Sequence, residues 1–278
     1  MPAFRIVVPV RNAEAWITRC LRSIRRQTVR DFRCIVLDDV SEDRTLARAR
    51  AVVAGDPRFV VEAAPSRRYS VENVAVGIRA IAHDPTDVIV HVDGDDWLRH
   101  RRVLAVLARV YADDAVWVTY GSHQRWKGSW RDRLGLRHKR GIAGPYPPEV
   151  LDEGRVRAHP WCASHLRTFR RFLWDAIRPE DLLDEDGGWF RTVGDLVTMF
   201  PALEMAGSAH ARYLHEMLYV YNTSNPWNDH RKALDDQQRA DRLVRSRPAY
   251  PRLASAPVPL ARAPRADAPD AGPGLQPA

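Results

Sequence analysis

The sequence predicts an α/β domain: a mostly parallel sheet flanked by helices, followed by a smaller second region and a disordered tail. Three observations carry this. Short β-branched runs alternate with segments of helical apolar spacing over the first 120 residues, the pattern of βαβ units. Polar and acidic residues stand where those strands end, which is where parallel sheets bind their ligands. From Ser246 onward the chain is Pro- and Ala-rich without apolar periodicity.

Phe4 to Val10 is a first strand, with Pro9 near its end where a missing N–H does little harm. Trp16, Ile17, Cys20, Leu21 and Ile24 then recur at helical spacing, with arginines on the other face. Phe32 to Leu37 is a second strand ending at Asp38-Asp39, and Ser41 is placed as the N-cap of a helix carrying Leu46, Ala49, Val52 and Val53. Phe59-Val60-Val61 is a short third strand. Val74, Ile78 and Ile81 mark a helix that Asp84-Pro85 ends.

Val88-Ile89-Val90-His91-Val92 is a buried strand running into Asp93-Gly94-Asp95-Asp96, and Trp97-Leu98 open a helix-like segment. Carboxylates crowded at one apolar strand end repel one another and are costly to desolvate, so a cation between them makes physical sense. Hard oxygen ligands suit magnesium or manganese; the plainer alternative is a turn, where Asp and Gly are common. A helix with Val103, Leu104, Leu107 and Val110 and a strand from Ala115 to Tyr120 close the alternation.

Composition bounds the rest. With 278 residues, 45% of them hydrophobic, a proper core is available and wholesale disorder is excluded. No apolar stretch approaches the ~20 residues that span a bilayer. No charged-then-apolar leader precedes Phe4, and the expectation is a cytoplasmic protein. Cys20, Cys34 and Cys162 are odd in number and scattered, and read as reduced core thiols. There is no Gly-rich phosphate loop after the first strand, so an ordinary dinucleotide site is excluded.

At the strand ends, Val7-Val8-Pro9-Val10-Arg11-Asn12, Leu37-Asp38-Asp39-Val40-Ser41-Glu42-Asp43 and Asp93-Gly94-Asp95-Asp96 occur in that order. Together they resemble the opening strand, the D-D-G-S-x-D turn and the D-x-D block of the family 2 nucleotide-sugar glycosyltransferases of the GT-A fold. Val40 stands where the family usually has Gly, and the resemblance covers about residues 4 to 232. It implies a nucleotide-sugar-binding half over 1–121, an acceptor-binding and catalytic half over 122–245, and a tail over 246–278. It further implies a donor pocket from Pro9, Val10, Arg11, Asn12, Asp39, Asn73, Asp93 and Gly94. Asp39 would contact the base or ribose, and the plainer readings are a helix-capping Asp39 and a solvated Asn73. Asp93 and Asp95 would serve a divalent cation, manganese or magnesium, that bridges a diphosphate, with His230 completing the shell. The donor expected is a nucleotide-diphosphate sugar, UDP-linked by family habit.

The second half departs in character. From Ser122 to Gly141, seven cationic residues face one acid, and Trp126 and Trp130 interleave with them. That composition suits stacking on rings while neutralising phosphates; the plainer reading is a solvated loop whose tryptophans pack inward. Trp126, Trp130, Arg131 and His165 are the acceptor-side candidates, and Arg170 or Arg171 would steady a phosphate or cap a helix. Gly194-Asp195 fits the family's E-D opening of a helix, with Asp195 as general base and Asp184 or Asp186 as runner-up. One base and one displacement imply an inverting transfer to an acceptor hydroxyl of a saccharide, lipid-linked or small molecule. Two alternatives are transfer to a hydroxylated DNA base, which a duplex would have to flip out, and a non-catalytic binding module that kept the fold.

Overall fold

The computed structural model describes residues 2–129, 139–140, 143–225 and 234–257. Nine strands among them form one sheet: β1 (Phe4–Val10), β2 (Phe32–Asp38), β3 (Phe59–Ala63), β4 (Val88–His91), β5 (Trp97–Leu98), β6 (Val118–Trp126), β7 (Lys139–Arg140), β8 (Ser164–Arg170) and β9 (Ala211–Asn222). Their order is β3-β2-β1-β4-β8-β6-β9-β5, with β7 pairing β6. β1, β2, β3 and β4 run parallel, while β8 is antiparallel to both β4 and β6. The sheet is therefore half parallel and half mixed.

Both faces are covered, because β-branched residues alternate between them. Ile6 and Val8 point into one core with Ile17, Cys20, Leu21 and Ile24 of α1 (Ile17–Arg25), Ala49 and Val53 of α2 (Thr45–Val53), and Val103, Leu104 and Leu107 of α4 (Val103–Val110). Val7 points into the other, with Val71, Val74 and Ile78 of α3 (Tyr69–Ile81). Along the chain, α5 (Pro148–Asp152), α6 (Arg171–Asp175), α7 (Gly194–His210) and α8 (Leu234–Ser246) join that second layer. Gly77 packs α3 onto the sheet so closely that a Cβ there would meet Val7 Cγ1 at 2.6 Å.

Several expectations are corrected. Trp97-Leu98 do not open a helix; they form β5, hydrogen-bonded across to Tyr219 and Val220 of β9. Ser41 does not cap α2. The Asp43 carboxylate takes the Thr45 N–H at 2.8 Å and the Thr45 hydroxyl, and Ser41 Oγ accepts the Asn12 N–H instead. The strand expected to stop at Tyr120 runs on to Trp126. The predicted disordered tail begins too early. Over 247–257 the chain packs: Tyr250 is buried, its N–H donates to Glu204 Oε2 at 3.0 Å, and the Leu253 N–H donates to Met205 O. Residues 258–278 lie outside the described residues. Cys20 and Cys34 are buried, whereas Cys162 is only half-buried. No described helix is long and apolar enough to cross a membrane.

Candidate active site

The ends of β1, β2 and β4 lie on one rim, and a cleft of about 470 Å³ opens there. Its lining includes every predicted donor-pocket residue: Pro9, Val10, Arg11, Asn12, Asp39, Asn73, Asp93 and Gly94. The loop after β1 is stitched to the loop after β2. The Asn12 N–H donates to Ser41 Oγ (3.0 Å), Asn12 Oδ1 accepts the Glu42 N–H (2.9 Å), and the Ala13 N–H donates to Thr45 Oγ1 (2.7 Å). Val40 adopts φ +59°, the left-handed conformation its family glycine would take freely, so the turn keeps its course at the expense of a crowded β-branched residue.

Asp39 is buried and already engaged. Oδ1 accepts the Arg68 N–H at 2.7 Å, and Oδ2 accepts the Tyr69 N–H and pairs with Arg67 Nη1 at 2.7 Å. Its carboxylate thus takes the first backbone N–H of α3, as the plainer capping reading expects, and fixes the loop that leads into that helix. Arg67 in turn lies over the Tyr69 ring at 4.3 Å. Asn73 is fully buried and not solvated: Nδ2 donates to Tyr69 O at 2.8 Å, while Oδ1 has no partner among the described residues.

The acidic block follows β4 closely. Gly94 is forced by its neighbour, because a Cβ there would stand 2.4 Å from Val10 Cβ. The four residues diverge in surroundings. Burial pushes the Asp93 carboxyl up, but His91 (Nε2 3.2 Å from Oδ1) and then Arg167 outweigh it and hold Asp93 well below the usual range. Asp95 Oδ2 accepts Asn225 Nδ2 at 2.8 Å. Asp96 is fully buried; its Oδ1 accepts the Asn222 N–H at 2.7 Å, while Oδ2 makes no hydrogen bond of good geometry among the described residues. Burial, then Asp95 and Asp93, push its carboxyl well above the ordinary value, with Asn222 and the Tyr219 phenol opposing.

Ligand atoms of Asp93, Asp96 and His165 lie within 4.8 Å of one another. His165, expected among the acceptor-side residues, thus lies beside the acidic block in the same cleft. It stacks on Tyr219 at 4.5 Å, and burial followed by Arg167 keeps its pKa well below the ordinary value, leaving a neutral imidazole. An uncompensated buried carboxyl beside a second carboxylate and a neutral imidazole is a donor set that fits manganese or magnesium. Asp95 borders the same cleft but is outside this close trio.

Across the cleft, Val193 at φ +52° swings the chain into α7 so that Asp195 falls in its first turn, 34% of its side chain exposed. A Cβ on Gly194 would approach Val71 Cγ2 to 3.2 Å, which accounts for glycine where the family has Glu. Asp184 instead closes a turn, accepting the N–H groups of Asp186 and Gly188, and neither Asp184 nor Asp186 lines the cleft. Arg170 is buried under the sheet, donating to Val116 O, Thr86 O and Tyr111 O; Arg171 pairs with Asp175. The β8 arginine that reaches the cleft is Arg167, with Nη1 3.3 Å from Asp195 Oδ2 and Nη2 3.7 Å from Asp93 Oδ2. Strand alternation from His165 is the signal that would have found it.

Trp126 is also corrected. Its indole is buried edge-on against Trp97 at 5.2 Å, with the Arg19 guanidinium 3.7 Å above Trp97, so it supports the sheet edge and offers no stacking face. Arg125 and Lys127 border a separate pocket with Thr223 and Ser224. Trp130, Arg131 and His230 lie outside the described residues.

The comparisons with known proteins agree with this geometry. The family model described as Glycosyl transferase family 2 matches residues 5–174. The chain belongs to that family. Two relatives from Bacillus subtilis (strain 168) are similar to it. The putative glycosyltransferase EpsH is 27% identical over 182 residues, 64% of this chain and 49% of the relative; the uncharacterized glycosyltransferase EpsJ is 33% identical over 99 residues, 35% and 27%. The chain thus spans about half the length or less of these relatives. Among solved structures, S. aureus TarS 1-349 in complex with UDP-GlcNAc superposes with a TM-score of 0.55 at 18% identity, over 79% of this chain and 58% of that one. The mannosyltransferase PcManGT from Pyrobaculum calidifontis, in complex with GDP-Man and Mn2+, gives 0.52 at 19% identity, over 79% and 56%. These neighbours establish the GT-A fold of this family 2 chain.

Proposed function

We propose that this family 2 chain transfers a sugar from a nucleotide-diphosphate donor to an acceptor hydroxyl, with inversion. The observation that carries the reading is the meeting, in one cleft, of an acid cluster from the end of β4 with a lone carboxylate, Asp195, from the start of α7. A divalent cation held by Asp93, Asp96 and His165, with Asp95 at its border, would neutralise charge growing on the departing diphosphate. The chain's own residues supply the rest. Asn12, Asp39, Asn73 and the 67–69 loop shape the nucleoside end, where buried Asn73 Oδ1 has no partner among the described residues. Asp195 accepts the proton of the attacking hydroxyl. A single base opposite the leaving group favours one in-line displacement, hence inversion.

Two solved neighbours were determined with UDP-GlcNAc and with GDP-Man, so the shared chemistry is a nucleoside diphosphate sugar. The reading with DNA as acceptor loses its motive among the described residues, since Trp126 is buried and cannot stack on a base. A thermal-shift panel of nucleotide sugars, with and without manganese, tests the proposal, because a true donor binds the native state alone. One sugar nucleotide should raise the melting temperature only when manganese is present, and its hydrolysis should follow. A panel that shifts nothing under either condition rules the donor site out.

A further inference from the structure

Arg167 is held in a way the proposed chemistry does not by itself explain. It sits on β8, 6% exposed, and its Nε is buried without a hydrogen-bond partner among the described residues. Its two terminal nitrogens face different carboxylates: Nη1 lies 3.3 Å from Asp195 Oδ2, and Nη2 lies 3.7 Å from Asp93 Oδ2. Both contacts are ion pairs and not hydrogen bonds, so the guanidinium is shared by two anions and bound tightly by neither. Asp93 comes from the end of β4 and Asp195 from the first turn of α7, about a hundred residues apart. Both carboxylates are about one-third exposed and face the cleft.

A planar guanidinium can span two acids; an ammonium, a point charge on a flexible stem, cannot do so with fixed geometry. Resting on the transferase reading, we propose that Arg167 is a positioning residue that couples the cation site to the base. It competes with a divalent cation for Asp93 while it aims Asp195 into the cleft. When a cation occupies Asp93, the guanidinium is driven toward Asp195 and fixes the base for the acceptor hydroxyl. With the Asp195 charge removed by substitution, the guanidinium shifts toward Asp93 and weakens the cation site. Proton abstraction is thereby tied to the presence of the ion that accompanies the donor.

The test is a manganese titration of the full chain, following free Mn2+ by electron paramagnetic resonance, on wild type, D195N, R167M and the double variant. D195N should weaken Mn2+ binding roughly threefold or more, and R167M should tighten it by a similar factor. In the R167M background, D195N should then have no effect. R167K keeps the charge and guards against a folding artefact: it should keep wild-type Mn2+ affinity, lose the coupling to D195N, and lower kcat more than it raises donor KM. Equal D195N effects in both backgrounds, an unchanged affinity in R167M, or full coupling in R167K would each overturn the proposal. If the wild type itself binds neither Mn2+ nor any nucleotide sugar, the transferase reading falls, and that outcome is distinct because no variant is needed to see it.

Discussion

In the parallel half of the sheet, β1, β2 and β4 deliver Asn12, Asp39 and Asp93 from loops beyond their ends. In the mixed half, β8 delivers His165 and Arg167 from the face of the strand itself, and β9 adds Tyr221 in the same way. The two modes have different physical limits. A loop residue is free to turn toward a ligand, but its loop must be held, and the stitching of Asn12 to Ser41 and Glu42 does that. A strand residue is aimed by the pleat, and it must be buried to be aimed; hence the neutral His165 and the buried Arg167. The parallel half is thus held by hydrogen bonds between its loops, and the mixed half by burial of the strand residues themselves.

The sharpest way to break this contrast is at Asp195. Asp195→Asn should lower kcat by roughly 10²–10⁴, the usual share of a general base, with donor-dependent thermal shifts retained. Undiminished turnover would move the base elsewhere and leave the mixed half without its chemistry. On the donor side, Gly94→Ala forces a Cβ to within 2.4 Å of Val10 and should cost about 1–3 kcal/mol in urea unfolding, along with manganese-dependent donor binding. A neutral result would show that the end of β1 is not packed against the acidic block.

A smaller effect separates the halves by pH. Burial, then Arg125 and Arg167, lower His123 to about 4. The folded protein therefore refuses a proton that the unfolded chain accepts near its ordinary pKa of about 6.5. Stability from this group is intact above about pH 6.5 and falls as the pH drops toward about 4. His123→Gln should flatten that part of the melting-temperature profile; an unchanged slope would assign the acid sensitivity to other groups. The smallest expected change is at the β2 turn. Val40→Gly relieves a left-handed β-branched residue at about 1–2 kcal/mol, against roughly 0.5–1 kcal/mol of added backbone freedom. The net should be a gain of about 1 kcal/mol or less in urea unfolding, and a loss would mean that Val40 packs usefully.

How much of this was legible follows the same division. The strands β1 to β4, their parallel order and the residues at their tips could be read because each lies within a few residues of a clean apolar run. Asp195 was reachable only through resemblance to a family pattern, since a carboxylate near a helix start is ordinary. Trp126 was misassigned because composition cannot say which way a strand residue points; an unpredicted extension of β6 turned it inward against Trp97. Arg167 was passed over for Arg170 and Arg171, although only residues alternating with His165 share its face.

The sequence by itself determined the layered α/β core and the rim of polar residues at the tips of three parallel strands. Local chain chemistry decides those, because apolar period and turn geometry act over a few residues. Tertiary structure alone decided that Asp96 is the buried acid, that His165 joins it beside Asp93, and that one guanidinium lies between Asp93 and Asp195. Those relations join β4, β8 and α7, and they arise only when antiparallel pairing of β8 with β4 brings distant residues together and removes the water between their charges.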